Sequence, residues 1–84
     1  MRVLMTGPGY GHNIQPWLEY YQNRPSEYRL SFLCSEFKFE RRDFSHIHVL
    51  EYGGARGRLM RTLLGLRKER FDVLYIHGAS SPTL

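Results

Sequence analysis

The sequence predicts an α/β domain built on a mostly parallel β-sheet with helices on both faces. Short apolar runs of the kind that form buried strands alternate along the chain with longer amphipathic stretches. The first apolar run is followed by three glycines at alternate positions, and the next amphipathic stretch begins at once. A strand, a glycine turn and a helix start in this order are typical of domains that bind nucleotides or phosphates, because unpaired N–H groups at the helix start can meet an anion.

Length and composition limit the kinds of protein that this chain can be. The 84 residues allow one small domain at most, and the single cysteine, Cys34, excludes an internal disulfide framework. Apolar runs are too short for a membrane span, which needs about 20 residues, and Pro8 interrupts the N-terminal run before it reaches signal-peptide length. We therefore expect a soluble, cytoplasmic protein, and we predict no resident cofactor or metal.

The first strand is predicted from the apolar run of Val3, Leu4 and Met5, and the first helix is predicted over residues 13–24. Asn13 is a good N-cap residue, and Pro16 lies in the first turn, where its missing N–H costs little. One stripe of this helix has the spacing of a face buried against a sheet: Ile14, Trp17, Leu18 and Tyr21.

The remaining elements continue the alternation. We predict strands at 28–34, 47–52 and 71–77, and the longest helix at 55–70. Ser35 caps a short charged segment, residues 36–43, which we expect to form a turn or two of helix and to be too polar for the core. The long helix should bury one apolar side: Leu59, Met60, Leu63, Leu64 and Leu66. The expected strand order is 3-2-1-4, which is a Rossmann-like sheet.

The last residues read as the start of another helix. Ser80 and Ser81 are N-cap candidates, and Pro82 suits a first helical position. A doubly wound sheet needs a helix here and usually a further strand. We therefore expect residues 1–84 to be the incomplete N-terminal domain of a larger protein, with an exposed sheet edge and apolar face that favour dimer formation.

The fold class also predicts where a ligand binds. Open α/β sheets bind ligands at the carboxyl ends of the strands, where the strand order reverses. That point lies between the first and fourth strands, where the loops 7–13 and 77–82 should meet. Each loop contains a histidine, His12 in the first and His77 in the second. The residues expected to contact a ligand there are the two histidines and the glycines that let backbone approach it, Gly9, Gly11 and Gly78.

The glycine turn does not match a dinucleotide fingerprint completely. It begins as G-x-G, but His12 stands where the third glycine belongs, and the short-chain dehydrogenase pattern fails at Tyr10 and Asn13. Glu36, just after the second strand, could still hold a ribose hydroxyl. An NAD(P)-dependent epimerase or reductase therefore stays open as an alternative, beside a non-catalytic α/β binding module.

Two segments resemble a known enzyme family. Residues 11–21, GHNIQPWLEYY, are similar to the start of many retaining GT-B glycosyltransferases, in which a glycine-rich turn leads to a histidine and a tryptophan follows in the first helix. Residues 71–78, FDVLYIHG, resemble the strand of that family in which D-V and an apolar residue precede a histidine. Residues 79–84 fit the loop and helix start that follow there.

The resemblance implies a two-domain enzyme of carbohydrate biosynthesis with its active site between two Rossmann-like domains. The C-terminal domain would hold the nucleotide of the sugar donor, and this N-terminal domain would shape the pocket for a glycan, lipid or small-molecule acceptor. It implies that His77 contacts the transferred sugar or the acceptor, and that Gly9 and Gly11 lie beside the donor diphosphate. This part of the enzyme alone would be inactive.

A basic cluster marks the long helix and the residues after it. Only Glu69 is of opposite sign among its members: Arg56, Arg58, Arg61, Arg67, Lys68 and Arg70. Such a face is either solvated or rests on an anionic membrane surface, which would place the protein at the inner face of the membrane. We expect no nucleic-acid binding, because no recognition motif accompanies the charge.

Overall fold

The computed structural model describes residues 1–54 and 56–76, without the side chain of Arg56. The predictions for His77, Gly78 and residues 79–84 lie outside the described residues.

The described elements alternate as the sequence predicts, although most are shorter. They are β1 (Arg2–Thr6), α1 (Gln15–Gln22), β2 (Arg29–Cys34), a 3-10 turn (Arg41–Phe44), β3 (His48–Glu51), α2 (Arg56–Leu66) and β4 (Val73–Ile76). The long helix ends at Leu66 rather than near residue 70 because the chain tightens there. The N–H of Lys68 donates to the carbonyl of Gly65, and that of Glu69 donates to Leu66, both three residues back.

The four strands form one parallel sheet in the order β3-β2-β1-β4, which confirms the predicted fold class and strand order. β1 is central: Met5 pairs with Phe32 of β2 on one side and with Tyr75 of β4 on the other. Strand order therefore reverses between β1 and β4. This is the architecture of a small Rossmann-like α/β domain.

The core lies between α1 and one face of the sheet. Val3 and Met5 of β1 and Ile14 and Leu18 at α1 are almost fully buried. The apolar stripe predicted for α1 is only partly buried, because Trp17 keeps 39% of its surface exposed. Its ring instead stacks on Tyr75 of β4, with 4.9 Å between ring centroids.

The segment after β2 contributes to the core, so the prediction that it is too polar was wrong. Phe37 and Phe44 are buried, and Phe39 packs against the same cluster. The three rings meet edge to face with centroids 5.5–6.0 Å apart. The polar residues between them are exposed. In an irregular segment, aromatic side chains can turn inward without the spacing that a helix requires. The 3-10 turn begins after Glu40, and no side chain caps it.

The buried face predicted for α2 was also wrong. Met60 is 57% exposed and Leu64 is 52% exposed, while Leu59 and Leu66 are half-buried. On the edge strand β4, Leu74 and Ile76 are exposed as well. Among the described residues, an apolar surface on α2 and β4 is therefore uncovered. In the parts of the chain described here, neither helix is long and apolar enough to cross a bilayer.

Candidate functional site

A cleft of about 850 Å³ opens at the carboxyl ends of the strands. Thr6 and Ile76, the last residues of β1 and β4, both line it, and their Cα atoms are register partners. The cleft therefore lies where the strand order reverses, as the fold class predicts. Ile76 is the last described residue of β4, and His77 follows it in the sequence.

The loop between β1 and α1 forms one wall of the cleft, and Gly11 gives this wall its shape. Gly11 has a φ of +105°, a backbone conformation that side chains disfavour. No atom lies within 4 Å of the position that a Cβ atom would take there. Its neighbours in the wall include Tyr10, His12 and Asn13, which are exposed to the cleft.

Gly9, unlike Gly11, is buried and is not among the described residues that line the cleft. A Cβ atom at this position would lie 1.8 Å from the carbonyl oxygen of Glu36. The carbonyl of Gly9 also accepts a hydrogen bond of 2.8 Å from the N–H of Lys38. The close approach of these two backbone segments requires glycine here, and it holds the loop against the segment after β2.

The first turn of α1 does not supply free N–H donors, which corrects the sequence interpretation. The N–H of Gln15 donates to the carbonyl of Gly11 at 3.3 Å, and those of Trp17 and Leu18 both donate to Ile14 at 3.1 Å. Pro16 has no N–H. The backbone donors at the start of α1 are therefore already used within the chain.

The donors available to a ligand lie one turn earlier. The chain is already turned at residues 12–14, before α1 begins. The backbone N–H groups of His12, Asn13 and Ile14 make no hydrogen bond to another described residue. Because His12 and Asn13 line the cleft, the N–H groups of these two residues can meet an anion there.

Asn13 is not the N-cap that the sequence predicts. Ile14 occupies the cap position, and no side chain caps the helix. The turn that begins at Gly11 places Asn13 inside it, where its side chain lines the cleft. Sequence reasoning therefore missed Asn13 as a site residue. A polar residue just before a helix can be either an N-cap or a ligand contact, and the sequence does not distinguish the two.

The cleft combines an apolar wall with a neutral polar one. Leu33 at the end of β2 and Leu59 and Leu63 of α2 form the apolar side. None of the described lining residues is Lys, Arg, Asp or Glu. The arrangement suits a ligand with a largely uncharged body and one anionic group beside the 11–14 loop.

Glu36, the carboxylate that the sequence analysis placed near a ribose, does not lie at the cleft. Glu36 is exposed and is not among the described lining residues of the cleft. The acid that organises this end of the sheet is Glu51 of β3, which accepts a hydrogen bond of 2.9 Å from the N–H of Phe37 and pairs with Arg41. It fixes the segment after β2, against which Gly9 packs.

Cys34 ends β2 and is fully buried. Burial raises the pKa of its thiol from the ordinary 9.0 to about 11; the Glu51 carboxylate adds to the rise, and Arg41 opposes it. A thiol held in its neutral form is a poor nucleophile, so Cys34 is a packing residue.

The basic cluster is separate from the cleft. Its described side chains beyond residue 56 are exposed, and Glu69 pairs with Arg2 at 3.7 Å. No group of three or more His, Cys, Asp or Glu side chains in residues 1–54 and 56–76 is placed to hold a metal ion.

The described residues form a Rossmann-like α/β domain with a cleft at the carboxyl ends of the strands. The chain matches no protein-family model, no curated protein and no solved structure. Any assignment of function therefore depends on the site and on the resemblance of residues 11–21 and 71–78.

Proposed function

We propose that this chain is the N-terminal, acceptor-side domain of a GT-B glycosyltransferase that moves a sugar from a nucleotide-sugar donor to a glycan, lipid or small-molecule acceptor. The main supporting observation is the cleft between the unpartnered N–H groups of the 11–14 loop and the end of β4. The resemblance of residues 11–21 and 71–78 to that family supports the same assignment.

The chemistry of glycosyl transfer fits such a cleft. The reaction needs stabilisation of a departing diphosphate and of a sugar that develops positive charge. Backbone N–H groups held in place before the reaction stabilise the leaving charge without reorganising. Leu33, Leu59 and Leu63 give the cleft an apolar side, next to which hydrogen bonds to the leaving charge are stronger than in water. Paired carboxylates, which a glycosidase would use, are absent from the described lining of the cleft.

The proposal gives the site residues different roles. The N–H groups of His12 and Asn13 bind the donor diphosphate, with Gly11 supplying the turn that presents them. Gly9 positions that loop through its contact with Glu36 rather than by binding the ligand. His77 contacts the transferred sugar or the acceptor, and Gly78 is assigned to substrate or diphosphate binding. A second domain supplies the nucleotide site.

The direct test is a transfer assay on the protein in which this domain is joined to a donor-binding domain. A panel of nucleotide sugars is supplied with candidate acceptors, and His77→Ala is compared with the wild type. We expect His77→Ala to reduce turnover about tenfold or more, the loss of a hydrogen bond of about 1.4 kcal/mol, with an unchanged melting temperature. His46→Ala is the matched control, since His46 does not line the cleft.

Two results would count against the proposal. Unchanged turnover in His77→Ala would remove this residue from the site. Binding of nucleotide sugars without transfer to any acceptor would favour a binding module instead. An NAD(P)-dependent enzyme has less support, because Glu36 is not among the described residues lining the cleft; enhanced fluorescence of NADH on adding the 84-residue chain would revive it.

A further inference from the structure

A second pocket lies at the amino ends of the strands, at the end of the sheet opposite to the cleft. Its volume is about 330 Å³. We call it the amino-edge pocket, and its polar lining residues are Arg2, Arg29, Ser31, His46, His48 and Glu69. None of the described residues that line the carboxyl-end cleft also lines this pocket, so the two sites are independent.

The sheet register places Arg2, Arg29 and His48 of the pocket on one face. Arg2 of β1 and Arg29 of β2 are direct partners in the parallel ladder, and Ser31 of β2 is the partner of His48 in β3. Paired positions on neighbouring strands point to the same face, and so do residues two apart on one strand. The two arginines are therefore adjacent, on strands about 4.8 Å apart, and His48 stands on the same face.

The charges in the pocket are only partly balanced. The guanidinium group of Arg2 has Glu69 at 3.7 Å and lies 5.4 Å from the ring centroid of Phe71. Asp72, the other acid at this edge, accepts a hydrogen bond of 2.8 Å from the backbone N–H of Arg2. The side chain of Arg29 makes no hydrogen bond or ion pair with another described residue. Of the residues that line the pocket, the two arginines and Glu69 leave a net positive charge, since Asp72 is not among them.

Glu69 is a weak partner for Arg2. At 3.7 Å the contact is too long for a hydrogen bond, and the buried Oε2 atom of Glu69 accepts none from any described group. Both side chains are also part-exposed, at 43% and 37%, so the ion pair adds little to stability. The guanidinium group of Arg2 therefore keeps hydrogen-bond donors that Glu69 does not use.

We propose that the amino-edge pocket binds a phosphoryl group, as free phosphate or at the end of a small phosphate ester. Guanidinium groups match the oxygens of phosphate in two-point contacts, and two adjacent ones can hold a doubly charged anion. Each imidazole supplies at least one N–H donor in either protonation state. Glu69 competes with the ligand for Arg2, so it weakens binding of the anion.

The test is a titration of the full chain with inorganic phosphate, followed by backbone amide shifts in NMR spectra. We expect shifts at Arg29, Ser31 and His48. Arg29→Gln should weaken phosphate binding about tenfold, which corresponds to the loss of one charge-assisted contact. Glu69→Gln should tighten binding severalfold, because the competing carboxylate is gone.

Matched variants separate a built site from general attraction of an anion to a basic protein. Arg42→Gln removes the same charge from the exposed 3-10 turn and should leave affinity unchanged. Arg29→Lys keeps the charge but loses the two-point contact, so its affinity should fall between those of the wild type and Arg29→Gln. Absence of phosphate binding, or equal losses in Arg29→Gln and Arg42→Gln, would overturn the proposal.

A further arm identifies the source of the phosphoryl group. Vesicles of phosphatidylcholine containing phosphatidic acid are compared with glycerol 3-phosphate in solution. If the natural ligand is a small ester, glycerol 3-phosphate should shift the same amides and Arg29→Gln should weaken it. Vesicle binding that depends on Arg29, with no effect of the soluble ester, would assign the pocket to a lipid headgroup instead.

Discussion

Gly9 and Gly11 lie two residues apart in one loop, yet they are glycines for different physical reasons. At Gly9 the backbone of Glu36 occupies the space that a side chain would need. At Gly11 the space is open, but the backbone has a positive φ that other residues adopt only at a cost. The first glycine is required by packing, and the second is required by conformation.

Replacing these glycines should therefore reduce stability unequally. Gly9→Ala should lower the free energy of unfolding by roughly 3 kcal/mol, because backbone must move to admit the methyl group. Gly11→Ala should cost about 1 kcal/mol, the cost of the left-handed conformation. Urea denaturation measures both. Gly54→Ala is the control, since nothing lies within 4 Å of its Cβ position; a Gly9→Ala protein as stable as this control would contradict the described loop packing.

Cys34 makes the folded chain sensitive to alkali. Its thiol has a pKa near 9.0 when exposed and about 11 in the fold. Between these values the unfolded chain releases the proton while the folded chain keeps it, so stability falls as the pH rises from about 9 to 11. Burial also raises the pKa of Tyr21, which extends the loss to higher pH.

The measurement compares the pH dependence of urea unfolding in the wild type and in Cys34→Ala. The variant should lose less stability than the wild type between pH 9 and 11, because the thiol no longer contributes. Equal slopes in the two proteins would show that the thiol is not protected by the fold. Alkylation by iodoacetamide at neutral pH should likewise be slow until the wild type unfolds.

At the scale of elements, the regular spacing of apolar residues predicted where strands and helices form. It did not predict which residues of irregular segments are buried. The alternation of apolar runs and amphipathic stretches predicted the strands and helices of the described residues in their order. It could not predict the burial of Phe37, Phe39 and Phe44, because residues in a loop can turn inward without a period. The face of α2 was also mispredicted, since apolar spacing shows which residues could pack together and says nothing of whether another element covers them.

The candidate site was likewise predicted in part: its position in the fold was predicted, and its backbone hydrogen bonding was not. The position of the cleft followed from strand order, because the carboxyl ends of β1 and β4 must meet where the order reverses. The free N–H groups were misplaced by one turn because the sequence does not reveal where helical hydrogen bonding begins. Only the bond from Gln15 to Gly11 shows that the turn starts before α1. The role of Gly9 depended on a segment far away in sequence, which no local pattern reports.

For the molecule as a whole, we expect the apolar surface that no other described residue covers to favour association between copies. Leu74 of the edge strand is 62% exposed, and Met60 of α2 is 57% exposed. Burying such side chains between copies removes apolar area from water, at about 25 cal/mol per Å². A strand edge beside them offers backbone groups for pairing as well.

Leu74→Glu should therefore weaken self-association severalfold, as measured by sedimentation equilibrium. It should change the stability of the monomer little, because the side chain is already largely exposed. Ser26→Glu makes an equal change in net charge at an exposed loop and serves as the control. If both variants dissociate equally, general repulsion rather than the apolar surface would govern association.

The contact between Trp17 and Tyr75 gives the domain its own optical reporter. Trp17 is the only tryptophan in the chain, and the residue after Tyr75 is Ile76, on the rim of the cleft. Any occupant that shifts the end of β4 would change the distance between these two rings. The emission of the indole would change with it, so occupancy can be followed in the unlabelled protein.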